Sequence, residues 1–245
     1  MLLTLMFHQV VRPGNLTDLK NFRTFLQDLQ QHYHFRVPGQ KLTSGLNICL
    51  TFDDAYFDFY HYIYPLLKAS NIAAVLAVPV ALIQETTSVP NTQRLAINYP
   101  QGMHSNQQKY CPLCTWEEIK TMVQSGLVAP ASHTLTHPDL THVNDEQLLE
   151  ETCQSKKVLQ DKLDCAVDTF VYPYGKTNTL VQQRIARHYR YIMRIGSAVN
   201  MNNWQEQQLI YRINADLWWR RQRMIRLTKL LPAIAKYYLN RWRGK

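Results

Sequence analysis

No apolar run in this 245-residue sequence reaches the roughly 20 residues that cross a bilayer, so no membrane span is expected. Cysteine is scarce and scattered. Cys49, Cys111, Cys114, Cys153 and Cys165 make an odd, dispersed set that is not a disulfide framework. Cys111 and Cys114 form a lone CxxC with no second pair, which argues against a thiolate zinc site or a redox pair. Low-complexity tracts and repeats of fixed period are missing, and Gly and Pro are scattered. The opening "MLLTLMFHQVVRPG" has neither a basic leader nor a small-residue cleavage site. It reads as a first strand, in a protein expected in a reducing, cytoplasmic compartment.

Acid is what the C-terminal stretch lacks. Residues 217–245 hold nine Lys or Arg and no Asp or Glu, so the net charge of +9 lies entirely there. The remaining body is formally neutral. Apolar residues at 224, 227, 231, 234, 238 and 242 give a helical stripe, with Trp at both ends. Pro232 should kink or split it. One reading is a closing helix with a basic outer face. The other is an amphipathic helix on an anionic membrane, on its inner face, with Trp218, Trp219, Leu227, Leu231 and Trp242 inserted. A nucleic-acid role is not expected, because the body has no reader motif.

What is present is a globular composition, 46% hydrophobic and 18% charged, long enough for one large domain. Seven strand-like runs, at 2–7, 46–52, 73–79, 127–132, 168–172, 189–195 and 208–213, alternate with helical stretches. The helices are expected near 17–30, 57–69, 116–125, 144–162, 178–187 and 217–242. Thr115 with Glu118 predicts a capping box. This alternation predicts a parallel α/β barrel or incomplete barrel over 1–216, with 217–245 as a separate basic helical segment. Residues 84–115 form a long insertion, expected over the active face.

In such folds chemistry collects at the C-terminal strand ends. His8 follows the first strand, Asp53 and Asp54 the second, His133 and His137 the fourth, and Pro173–Gly175 the fifth. His32, His34, His61, His104, His142 and His188 are read as loop or surface residues. Two imidazoles four apart with a carboxylate suit a divalent metal and leave a coordination position open, the catalytic pattern. The second carboxylate is then free to act as general base, and extended chain would point the two Asp side chains apart. His8 is placed to be the acid, and the Tyr174 N–H to stabilise an oxyanion.

"TFDD", "SHTLTH" and "YPYG", in that order, resemble the polysaccharide deacetylases of carbohydrate esterase family 4. The resemblance covers roughly residues 1–215 and implies a distorted, incomplete (β/α)7 barrel that removes N-acetyl groups from amino sugars with a metal ion. By it Asp53 is the base, Asp54, His133 and His137 hold Zn2+ (or Co2+ or Ni2+), and Tyr174 lines the oxyanion hole. "MFHQVV" resembles the permuted branch of poly-N-acetylglucosamine deacetylases, in which His8 matches the acid. Two departures stand out. Ala55 sits where Gly usually follows the two Asp. The Arg that often orients the base ahead of the "PYG" turn is replaced by Val171 and Tyr172. The expected substrate is an N-acetylated sugar, lipid-linked or polysaccharide. The alternatives are a same-fold amidohydrolase for a small non-sugar amide, or a non-catalytic membrane scaffold.

Overall fold

The computed structural model describes residues 1–201, 204–221 and 230–243. Its strands are β1 (Leu2–Phe7), β2 (His34–Phe35), β3 (Asn47–Phe52), β4 (Ala74–Val78), β5 (Val128–Ser132), β6 (Thr169–Val171), β7 (Tyr191–Ile195) and β8 (Leu209–Asn214). Its helices are α1 (Leu16–His32), α2 (Tyr64–Ala69), α3 (Asn91–Arg94), α4 (Trp116–Gln124), α5 (Asp145–Leu149), α6 (Ser155–Leu163), α7 (Thr179–Ile185) and α8 (Leu231–Trp242). Every strand pairs in parallel. The order β1-β8-β7-β6-β5-β4-β3 closes on itself because β1 also pairs β3; the two-residue β2 is appended to β3. The result is a seven-stranded β/α barrel, as the alternation predicts. Its thinnest seam is β5–β6, joined by the single register pair Ser132–Phe170.

The alternation of side chains along each strand divides the core in two. Leu2, Cys49, Ala77, Ala131, Met193 and Ile210 meet inside the barrel, where small and large side chains together fill the narrow lumen. Their neighbours Leu3, Leu5, Phe7, Ile48, Leu50 and Phe52 face outward onto Phe22, Phe25, Leu26 and Leu29 of α1. With both strand faces covered, the strands read as near-continuous apolar runs. Thr115 caps α4 in a full capping box with Glu118, and Asn144 does the same for α5 with Gln147. The helix expected at 144–162 is interrupted at Glu150–Gln154 by a wider turn.

The insertion carries α3 and two short 3₁₀ turns, Gln101–Met103 and Ser105–Tyr110. Arg94 pins it to the barrel. This buried guanidinium makes two bonds to Glu118 (2.7 and 2.8 Å), donates to the Cys111 and Leu113 carbonyls, and stacks on Phe57 at 3.4 Å. Cys111 and Cys114 are free, buried thiols beneath it.

Of the helical stretch expected over 217–242, the described residues give two pieces. Trp219–Arg221 forms a short turn and α8 begins at Leu231. Pro232, where a kink or split is expected, lies in the first turn of α8, where its missing N–H costs nothing, and so marks the start of a helix. Trp219 is fully buried, edge-on to Phe22 at 5.9 Å, which removes it from any membrane-inserted set. Trp218 also packs against this core. Residues 222–229, and with them Leu227 and Lys229, lie outside the described residues. Tyr237 and Asn240 hold α8 to the barrel, Tyr237 against Tyr211 and Asn240 through the Gly196 carbonyl. Leu231, Tyr238 and Trp242 face solvent. Among the described residues no helix is long and apolar enough to cross a membrane.

Candidate active site

The register of β1 and β3 builds the first half of the site. Phe7 and Phe52 are paired, so the residues that follow, His8 and Asp53, leave adjacent strands side by side. The Asp53 N–H donates to the Phe7 carbonyl (2.8 Å) and locks the two ends together. The chain does not continue extended through the second carboxylate. Asp54 (φ 68°) and Ala55 (φ 52°) are both left-handed. A tight turn, rather than strand alternation, sends the two carboxylates apart. Gly adopts this conformation freely, whereas Ala at position 55 costs about 1 kcal/mol.

Strand β5 delivers the histidines through a tight loop, with Thr134 (φ 69°) and His137 (φ 65°) also left-handed. Glu151 fixes this loop, accepting from the Leu135 and Thr136 N–H groups (2.8 Å each) and the Thr136 hydroxyl. Asp54, Ala55, Thr134, His137 and Tyr174 (φ 58°) account for five of the eleven left-handed non-glycine residues among those described. Backbone strain is thus concentrated where the candidate residues meet.

Asp54 Oδ1 lies 3.5 Å from His133 Nε2 and 3.3 Å from His137 Nε2, and the two Nε2 atoms are 3.2 Å apart. Among the described residues this is the one His/Cys/Asp/Glu group spaced to hold a metal ion. Three features fit a divalent cation. His133 Nδ1 donates to the Val171 carbonyl at 2.8 Å, so its proton sits there and Nε2 offers a lone pair. Burial holds both imidazoles neutral, lowering His133 to about 3 and His137 to about 4. Asp54 Oδ1 is buried and has no hydrogen-bond partner. Burial, with Asp53 nearby, raises the Asp54 pKa to about 7, although the charge of His8 opposes this. These are the marks of a carboxylate lacking positive charge, and three protein ligands leave further coordination positions open.

Asp53 has a different environment. Arg212 of β8 is fully buried and forks onto it, Nη1 to Oδ1 at 2.7 Å and Nη2 to Oδ2 at 2.9 Å. Nη1 also meets Thr51 Oγ1 at 3.1 Å. Burial alone would raise the Asp53 pKa, but the Arg212 charge and hydrogen bonds, with the charges of His133 and His8, together lower it to about 2. Arg212 stands two residues beyond Ile210 and so points into the lumen.

His8 is similarly braced. Asp216, just beyond β8, accepts from the His8 backbone N–H and from Nδ1, both at 2.9 Å. Burial would lower the His8 pKa, but the Asp216 hydrogen bond and the charges of Asp53, Asp216 and Asp54 raise it. Nε2 is left to act. Asp58 secures the chain beyond His8 by accepting from the Val10 and Val11 N–H groups. Sequence reading missed Arg212, Asp216, Asp58 and Glu151. Arg212 alone left a clear signal, a charge inside the apolar strand "QLIYRI" that requires a buried acid.

A cleft of about 340 Å³ opens over the cluster, lined by Asp54, His137, Tyr174, Thr136 and Leu82, and by Tyr99, Pro100, Met103 and His104 of the insertion. His104, expected to be an ordinary loop residue, is therefore part of the cleft wall. The Tyr174 ring packs edge-on against His137 at 4.8 Å.

A family model described as polysaccharide deacetylase matches residues 41–192, more than half of the chain. A Bacillus subtilis (strain 168) relative, YxkH, named for a polysaccharide deacetylase, is 26% identical over 184 residues, 71% of this chain. The chain spans 57% of that relative's length. Among solved structures, the Streptococcus pyogenes deacetylase PplD is 23% identical with a TM-score of 0.66, covering 92% of this chain and 97% of its own. IcaB from Ammonifex degensii is 21% identical with a TM-score of 0.65, covering 89% and 93%. These likenesses match the barrel, and the family model adds the sequence: the chain belongs to the polysaccharide deacetylase family.

Proposed function

We propose that this protein is a metal-dependent hydrolase that removes the N-acetyl group of an amino sugar. The observation that carries the reading is the separation of two adjacent carboxylates into different roles. Asp54 lies with His133 and His137 without a cationic partner, while Asp53 is held ionised by Arg212. Asp54, His133 and His137 are the residues that would hold the ion, zinc or a similar divalent metal. When bound, it supplies Lewis acidity at the acetyl carbonyl and acidifies water.

The chain's own residues do the rest. Asp53 takes a proton from the attacking water, and the Arg212 fork keeps both its position and its charge fixed. His8 gives a proton from Nε2 to the departing sugar nitrogen, with Asp216 holding the ring and stabilising the imidazolium. The Tyr174 backbone N–H, in its left-handed turn at the mouth, serves the oxyanion. The products are acetate and a free amine.

The substrate in this reading is lipid-linked or a polysaccharide precursor, and the protein lies on the anionic inner face of a membrane. Two features support this: the net charge is confined to residues 217–245, and α8 exposes Leu231, Tyr238 and Trp242, the last 83% exposed, beside Lys236 and Arg241. The test is acetate release by the metal-loaded protein from soluble and lipid-linked N-acetyl sugars, with sedimentation on anionic liposomes. Hydrolysis of cyclic ureides or imides in place of N-acetyl sugars would favour the small-amide alternative. A protein that retains no metal and releases no acetate would be a scaffold.

A further inference from the structure

We propose that Tyr99 is a carbohydrate-stacking residue, and that Gln9 holds it there, making the insertion the wall that selects a sugar. The proposal rests on the deacetylase reading for the reaction, but the subsite stands on its own geometry.

Tyr99 lies in the insertion, far in sequence from the strand ends, yet its ring lies tilted over His8 (4.4 Å between centroids, 30° between planes). Its edge meets Tyr56 at 5.6 Å. Despite these contacts Tyr99 is 41% exposed, and it lines the cleft with Asp54, His137 and Tyr174. Tyr174, 60% exposed, flanks the other side. Two open aromatic rings thus border the reacting centre, one on the acid's side and one on a metal ligand's side. A small amide would fill the centre and leave both rings wet. A pyranose presents an apolar C–H face to such a ring and keeps its hydroxyls at the edge, in water. His8 covers one face of Tyr99, so the sugar takes the opposite, open face, with the Tyr99 ring between it and the acid.

The placement of Tyr99 is enforced. Gln9, next to His8 and nearly buried, donates from Nε2 to the Ile97 carbonyl and accepts from the Tyr99 N–H, both at 2.8 Å. One amide thereby staples loop residues 97–99 to the strand end that carries the acid. Arg94 anchors the other side of the insertion. A platform ordered before the substrate arrives loses little entropy on binding.

The test uses the full-length, zinc-loaded chain with two probes, an N-acetylglucosamine trisaccharide and 4-nitrophenyl acetate, which has an acetyl group but no sugar. Trisaccharide binding is measured by titration calorimetry, and kcat/KM for both probes gives a selectivity ratio. Tyr99→Ala should weaken trisaccharide binding about three- to tenfold, the range of an aromatic stacking contact, and lower the ratio correspondingly. Tyr99→Phe should retain both. Gln9→Ala, which frees the loop without touching the ring, should fall between them. Equal binding by wild type and Tyr99→Ala, or no binding by either, overturns the proposal. So does an equal fractional loss on both probes, because the ring would then serve only His8. If wild type binds the trisaccharide through Tyr99 but releases no acetate from any N-acetyl sugar, the deacetylase reading falls and the subsite stands.

Discussion

Replacing Arg212 with Met tests the core of the site. The fork between Arg212 and Asp53 is buried on both sides and no water-facing route remains for either charge. Removing one partner of such a pair leaves an uncompensated buried carboxylate, which costs about 3–5 kcal/mol. Linkage gives a smaller figure of consistent sign. The fall of the Asp53 pKa from 3.8 to about 2 is worth roughly 2 kcal/mol at ~1.4 kcal/mol per pH unit. Because the folded pKa is depressed, that stability is present above pH 3.8 and lost as pH falls toward 2. In Arg212→Met burial is opposed only by the charges of His133 and His8, so the folded pKa should rise above 3.8 and the sign invert: the variant gains relative stability as pH falls. Urea unfolding across pH should show both the loss at pH 7 and the inversion. The acid limb of kcat/KM should move to higher pH, because the base must still be ionised to accept a proton. Adding Asp53→Asn to Arg212→Met should restore part of the stability by removing the stranded charge, and Arg212→Lys should keep charge but lose the fork. An Arg212→Met protein that unfolds at the wild-type urea concentration, with its acid limb unmoved, refutes the assignment.

Dialysed wild type should retain about one divalent ion per chain by elemental analysis, and Asp54→Ala or His133→Ala should lose it; full occupancy in the double variant would remove the site. Asp216→Asn should lower the His8 pKa and pull the alkaline limb of the rate profile to lower pH, whereas His8→Ala should abolish that limb. The same raised pKa means that His8 contributes stability below its unfolded value of 6.5, lost as pH rises through the folded value. Glu151→Ala should free the histidine loop and weaken metal affinity about tenfold or more in a competition titration, without touching a ligand; unchanged affinity would make Glu151 purely structural.

The barrel and the strand-end residues were readable for the same reason. A parallel strand covered on both faces is a short apolar run, so the first polar residue after it marks where the chain emerges. His8, Asp53 and Asp54, His133 and Pro173 all follow such runs. Their two supports, Arg212 and Asp216, were not readable as supports. They meet Asp53 and His8 only because β8 closes the barrel against β1, and these contacts, 159 and 208 residues apart in sequence, are ones that no local pattern announces. The parity of β8 held part of the answer, since Arg212 shares the inward phase of Ile210, where a lone cation needs an acid.

The tail shows the opposite failure. A helical stripe of apolar residues is equally consistent with packing on protein and packing on lipid, because the 3.6-residue period does not identify the partner. The expected stripe ran through 231, 234, 238 and 242. The barrel takes Tyr237 and Asn240, with Ile234 of the stripe and Ala233 packed partly against it, and leaves Leu231, Tyr238 and Trp242 outside. Trp219, counted with the exposed anchors, is core. An apolar face left over after the barrel is satisfied is a stronger pointer to a second surface than the stripe itself, because the fold has already used the residues it needs.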